Sequence, residues 1–255
     1  MSETAEYRKY PLPDLKILYG LAAGRCAFSD CHNEIVLEQL GDEKRKQIGK
    51  IAHIVAHSAT GPRADSSYPK EKLDTYDNWI LLCPTCHDTV DALDSKYTVK
   101  ELRKIKADHE RWVSSALAKE LVKIGFAELE VVTRGICVIS SDPQPDYKVI
   151  PPAEKMKRNG LTAQTNILFS IGLCKHKEVR DYIQHVAKMD PSFPGRLKEG
   201  FTAEYKRLRT QDFNGDGLFE GMREFASNGN ADFIKQAAAL AVLTYLFETC
   251  EIFEK

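Results

Sequence analysis

Four of the seven cysteines fall into two close pairs, Cys26/Cys31 with four residues between them and Cys83/Cys86 with two. Each pair can present both sulfurs to one point from a tight turn, and two such pairs supply the thiolates of a closed tetrahedral zinc site. An ion held this way staples the chain from residue 26 to residue 86, and whatever lies between must fold around it. The odd cysteine total argues against a complete disulfide framework. The first ten residues lack the apolar core of a secretory signal, and no run of about 18 apolar residues occurs anywhere. The expectation is a cytosolic chain, where paired cysteines mean metal rather than disulfide. A site closed by four thiolates has no open position, so this zinc is expected to be structural.

Around the staple the pattern reads as mixed α and β. Pro11-Leu12-Pro13-Asp14 opens a short helix over 15–23 that stops at Gly24, and Arg25 to Cys31 forms a knuckle. Residues 48–56 predict a strand bounded by Gly49. Ser58 to Ser67, with Gly61-Pro62, predicts a loop, and Trp79 to Leu82 is a short apolar run placed against the second knuckle. After Cys86 the periodicity turns helical, which puts His87 and Asp91 one turn apart on the same face. Thr98 and Glu101 make a capping box that starts a long amphipathic helix to about Ile124. His109 lies on it among charges and predicts a helix-surface histidine, solvated or hydrogen-bonded; His32, beside Cys31, predicts a bystander.

Length and composition set the organisation of the rest. At 255 residues and 43% hydrophobic, the chain suits one large domain or two small ones. Two are expected, because the cysteine-histidine cluster lies almost wholly before residue 92. Residues 1–125 are read as the first domain and 126–160 as a β-segment (129–140, interrupted at Gly135) running into a Pro-rich linker. Residues 161–255 are read as a helical domain with helices near 161–174, 177–188, 199–209, 217–227 and 230–253. The last of these is apolar nearly all round and is expected to be the centre of a small bundle. Asp212-Phe213-Asn214-Gly215-Asp216-Gly217 imitates the start of a calcium loop, but its twelfth position is Arg223, so a turn between helices is the expectation. Cys137, Cys174 and Cys250 are isolated and expected to be buried.

The residues not needed for zinc carry the functional reading. Gly24-Arg25-Cys26, Ile51-Ala52-His53-Ile54, Gly61-Pro62-Arg63, Asp77-Asn78, Leu81-Leu82-Cys83-Pro84-Thr85-Cys86-His87 and Val90-Asp91 together resemble the HNH endonuclease family, in its four-cysteine zinc subtype, over roughly residues 15 to 115. The resemblance implies an α+β fold: a small ββα-metal nuclease domain followed by the mainly helical domain. It implies that His53 is the general base, Asn78 orients the loop carrying it, and His87 ligates a divalent ion at the scissile phosphate of DNA. Asp91 is the candidate second ligand, with magnesium or manganese as the cation. Many family members place a ligand just before the base, where this chain has Ala52. His57 is the candidate to compensate, against a loop histidine or a phosphate contact; four extended residues span roughly 13 Å, so it reaches the same ion only if the chain turns after Ile54. Arg63 is a candidate phosphate contact, with a surface arginine as the alternative.

The helical half loosely resembles effector subunits of ABC three-component (Lamassu-like) anti-phage systems, through Phe201-Thr202-Ala203-Glu204-Tyr205 and Gly215-Asp216-Gly217-Leu218-Phe219. That resemblance implies docking onto an SMC-like ABC ATPase. It would account for a net charge of −1, from 36 basic and 37 acidic side chains, where a free-standing DNA binder carries a basic surplus. The competing reading is a zinc-stabilised binding module without catalytic activity.

Overall fold

The computed structural model describes residues 8–37, 46–137 and 152–249. The chain divides into two compact units, Met1–Trp112 and Val113–Lys255. This division lies earlier than the boundary expected near 126–160, and it falls inside the long helix α3 (Val99–Leu121).

The first unit opens with α1 (Leu12–Leu21), which carries proline in its first turn, where the missing N–H costs nothing. Gly24, at φ +65°, lets the chain reverse into the first knuckle. Short strands β1 (Val36–Leu37) and β2 (Lys46–Gln47) pair antiparallel. Then β3 (Lys50–His53) and β4 (Trp79–Leu82) pair antiparallel, with Ala52 opposite Ile80 and His53 opposite Trp79. Two 3-10 turns, Lys70–Lys72 and Tyr76–Asn78, lead into β4. Helix α2 (Pro84–Ala92) follows directly, so β3, β4 and α2 form a hairpin backed by a helix. All four residues of β4 are buried, as expected of an apolar run with no polar face. They join Leu18, Ala22, Cys26, Ile35, Ala52, Ile54, Val90 and Leu102 in one core cluster.

In the second unit, the β-segment expected at 129–140 is a helix, α4 (Phe126–Ile136). The β-branched run Val131-Val132-Thr133 suggests a strand, yet Leu129, Val132, Thr133 and Ile136 are the buried positions, which is the i, i+3, i+4, i+7 period of a helix. Glu128 closes its N-terminus by accepting from the Gly125 N–H at 2.8 Å. The Pro-rich linker expected to follow lies mostly outside the described residues. Next come α5 (Pro152–Arg158), α6 (Ala163–Leu173), α7 (His176–Met189), α8 (Phe193–Arg209), α9 (Gly215–Ala226) and α10 (Phe233–Thr249). α10 is buried from Gln236 to Thr244 and packs on α4, α6, α7 and α9, the central role its all-round apolarity predicts. The imitation calcium loop is the turn between α8 and α9. Asp216 lies within α9, and its carboxylate accepts from Thr162 N, Thr162 Oγ1 and Thr165 Oγ1 at 2.9, 2.6 and 2.7 Å, which ties α9 to the start of α6. Cys137 is half-buried and Cys174 exposed, against the expectation of burial, and Cys250 lies outside the described residues.

No helix among the described residues is long and apolar enough to cross a membrane.

Candidate metal centre and active site

The sulfurs of Cys26, Cys31, Cys83 and Cys86 all lie within 4.8 Å of one another. The first knuckle is shaped by backbone bonds, Cys26 N–H to Asn33 O and Cys31 N–H to Phe28 O. It docks on β4 through Ala27 N–H to Leu81 O at 2.9 Å. The second knuckle is the N-terminus of α2, where Cys83 is the N-cap and its sulfur accepts the Cys86 N–H at 3.5 Å. Cys31 Sγ and Cys83 Sγ are 3.8 Å apart. For zinc–sulfur bonds of about 2.3 Å, the edge of a regular tetrahedron is about 3.8 Å, so the spacing across the two knuckles suits a tetrahedral metal. The electrostatics point the same way. Burial pushes the Cys26 thiol up to about 11, and burial together with the neighbouring sulfurs pushes Cys86 up as well. At Cys83 burial acts upward too, but hydrogen bonds from Cys86 and the other thiols outweigh it and the thiol moves down. Four crowded thiols resist ionising together unless a cation compensates.

At the end of β3, His53 is buried, with a side chain only 6% exposed. Burial lowers its pKa, against the opposing pull of Asp74, so the imidazole is neutral at pH 7. Two groups meet its Nε2: Asp74 Oδ1 at 3.0 Å and the Trp79 indole Nε1–H at 3.1 Å. The chain turns after Ile54 and brings His57 back beside it, with His57 Nε2 3.5 Å from Asp74 Oδ2 and the two imidazoles edge to face. Asp74 Oδ2 also accepts the Lys9 N–H at 2.6 Å. The Tyr10 ring lies against Trp79, at 5.4 Å between centroids, and near His53.

Asn78 is 1% exposed. Its Oδ1 accepts from Val55 N–H at 2.8 Å, and its Nδ2 donates to Val55 O at 2.9 Å and Leu73 O at 3.0 Å. Its own carbonyl accepts from Ile54 N–H. One amide therefore completes the pairing where the strand ends, and it holds the backbone that follows His53. Lys106 supports the same turn from α3. Its Nζ donates to Tyr76 O and Trp79 O, both at 2.9 Å, and sits over the Tyr76 ring beside Glu110.

On α2, His87 Nδ1 lies 3.6 Å from Asp91 Oδ2 and 3.5 Å from Asp88 Oδ1. Asp91 Oδ1 is bound by Arg63 Nη2 at 3.0 Å. The rest of that guanidinium is spent on the protein: Nη1 donates to Val90 O at 2.9 Å, Nε to Ile54 O at 3.3 Å, and Nη2 also to His53 O at 3.5 Å. These bonds occupy the guanidinium fork that the sequence offers as a candidate phosphate contact. The Arg63 side chain is 6% exposed and clamps the end of β3 to α2.

The expected ligand set separates into two groups. His87 keeps company with Asp91, while His57 pairs with Asp74 and His53. Among the described residues, the four cysteines are the one set of three or more metal-ligating side chains whose ligand atoms converge. Ala52 is 2% exposed and belongs to the apolar cluster, so no ligand comes from that position. His109 is hydrogen-bonded, with Nε2 against Ala22 O at 3.2 Å, but buried rather than on the surface, and burial lowers it to about 4. It stacks with Trp112, as does His32, whose ring lies 3.8 Å from that indole. Asp74 escapes sequence reasoning. It sits in Leu73-Asp74-Thr75 with no spacing signal, and only the fold brings it to His53.

No protein-family model matches the chain, and no curated protein matches it.

Proposed function

We propose that the chain is a metal-dependent endonuclease of the HNH type that hydrolyses DNA phosphodiester bonds. The observation that carries this reading is the hairpin-plus-helix of β3, β4 and α2. It joins a neutral histidine at the strand end, an asparagine locking the loop behind it, and a His–Asp pair one turn apart on the helix. None of these four residues is needed to hold zinc. Cys26, Cys31, Cys83 and Cys86 hold a structural zinc that fixes α2 against β4. His53, uncharged at working pH, accepts the proton of the water that attacks phosphorus. Asn78 keeps His53 in place, and His87 with Asp91 holds the cation. That cation, magnesium or manganese, supplies charge stabilisation at the scissile phosphate.

A second part of the proposal rests on the loose resemblance of the helical unit: it docks onto an ABC ATPase of the SMC type as the effector of an anti-phage system, which would account for a net charge of −1 that by itself counts against a free-standing DNA-cutting chain. The alternative, a zinc-stabilised binding module, is favoured by Ala52, which leaves the second cation with two protein ligands.

The test is supercoiled-plasmid cleavage with magnesium or manganese, comparing the wild type with His53→Ala at equal zinc content. Cutting by the wild type that is lost in the variant supports the nuclease. Equal cutting removes His53 from the mechanism. No cutting, alone or with the ATPase partner, favours the binding module.

A further inference from the structure

Asp74 has no part in the reading above, yet its carboxylate joins three segments of the first unit at the proposed base. Oδ1 meets His53 Nε2 at 3.0 Å, while Oδ2 accepts from Lys9 N–H at 2.6 Å and faces His57 Nε2 at 3.5 Å. The carboxylate is itself only 17% exposed.

Two groups claim the same ring nitrogen, and they make opposite demands. The Trp79 indole N–H can only donate, which requires a lone pair on Nε2; the Asp74 carboxylate can only accept, which requires a proton there. A ring nitrogen carries one or the other. A lone pair 3.0 Å from a carboxylate oxygen would be repelled and would strip a nearly buried anion of a donor. Releasing the indole N–H leaves only a neutral donor short, and an unsatisfied charged group is the costlier of the two. The charge-assisted bond to the carboxylate is also roughly twice as strong as a neutral one.

We infer that Asp74 is the positioning residue of His53: it holds the proton on Nε2 and so makes Nδ1 the basic nitrogen. The inference rests on the nuclease reading only for its effect on rate; the tautomer itself does not depend on it. Once Nε2–H is anchored to Asp74, the ring cannot rotate about its Cβ–Cγ bond without breaking that bond. Nδ1 is then held in one fixed direction with its lone pair as the basic site. The carboxylate also favours the imidazolium formed when the proton is taken.

Asp74→Asn tests this without changing volume. The Lys9 N–H at Oδ2 requires an oxygen there, so the introduced amide must turn its NH2 group toward His53. That amide and the Trp79 indole would then both donate to Nε2, and the proton moves to Nδ1. The experiment is long-range 1H–15N correlation on histidine-labelled, zinc-loaded full-length protein, with plasmid cleavage measured on the same samples. The expected result is a His53 proton on Nε2 in the wild type and on Nδ1 in Asp74→Asn. Cleavage should fall about 10²–10⁴-fold, the range for loss of general-base function, with zinc content unchanged. A wild-type proton on Nδ1 overturns the inference even if the variant does not fold. So does a tautomer that Asp74→Asn leaves unmoved. If the tautomer switches but the wild type cuts no DNA, alone or with the ATPase partner, the positioning role stands and the nuclease reading falls.

Discussion

Asn78→Ala is the substitution whose cost the structure defines most closely. The side chain is 1% exposed and makes three hydrogen bonds: one accepted from Val55 N–H and two donated, to Val55 O and Leu73 O. Each is worth about 0.5–1.5 kcal/mol net, and a buried N–H left without a partner adds about 1–3 kcal/mol. Allowing for partial relaxation, the expected loss is about 3–5 kcal/mol, a large share of the stability of a domain this size. The Ile54 N–H to Asn78 O bond is backbone and survives, so the loss stays local to Val55 and Leu73. Both tryptophans, Trp79 and Trp112, lie in the first unit, so indole fluorescence reports its unfolding without interference from the helical unit. With a urea slope of about 2 kcal/mol per M, the midpoint should fall by about 2 M. Amide exchange at Val55 should rise to that of an open loop. A midpoint shift below about 0.5 M with Val55 still protected would refute this reasoning. It would mean that the end of β3 is held by the sheet and the zinc cluster, with the amide contributing little.

Four other perturbations have expected outcomes. Removing zinc with a strong chelator, or Cys26→Ser, should release one zinc per chain by atomic absorption and unfold the first unit, while most helical circular dichroism from the second unit persists. Lys106 is buried and its pKa is pushed down to about 8 by loss of solvation, against an unfolded value near 10.4. The unfolded chain therefore binds more protons between about pH 8 and 10.4, and Lys106 adds stability as pH rises through that window; urea midpoints at pH 8 and 10 should rise more in the wild type than in Lys106→Met. Arg63→Lys should destabilise the first unit by about 2–4 kcal/mol, because an ammonium cannot span Ile54 O, Val90 O and Asp91; DNA affinity, read by fluorescence anisotropy on still-folded protein, should not change. Gly200→Ala should destabilise the second unit, since its methyl would lie 2.1 Å from Ile136 O where α8 meets α4; a melting temperature within about 1 °C of the wild type would contradict that contact.

What can be read from the sequence follows from how local each signal is. The four-cysteine cluster is legible because each cysteine pair is a property of one turn, and expecting the two turns to meet needs no knowledge of the path between them. The centre of the helical unit is legible because α10 is apolar on every side. Residues 129–136 mislead because Val131, Val132 and Thr133 favour strands by local shape; tertiary burial at helical spacing decides the outcome. Arg63 reads as a phosphate ligand because its type and loop fit one. Its partners are mostly backbone carbonyls, and no residue pattern encodes those. Asp74 and Lys106 are invisible for the same reason: each acts on an atom far along the chain.

The candidate site depends on holding His53, at the end of a strand, against His87, on a helix of another segment, and the fold supplies three ties of unequal strength. Lys50 to Asp88 joins β3 to α2 at 2.9 Å, but both partners are well exposed, so solvent and salt leave it little weight. Arg63 joins the same elements from inside, with nearly the whole guanidinium withdrawn from water and satisfied, so losing it strands several acceptors at once. The four-cysteine cluster holds the start of α2, just ahead of His87, because Cys83 is both a member of the cluster and the helix N-cap. With the start of the helix held at the cluster and its far end held by Arg63 at Val90 and Asp91, α2 has little freedom to rotate about its own axis and carry the His87–Asp91 pair away from the end of β3. The cysteine cluster and the arginine clamp therefore do separate jobs: the first places the helix, and the second sets its rotation. Loss of Arg63 alone should leave zinc bound while the His87–Asp91 face loosens.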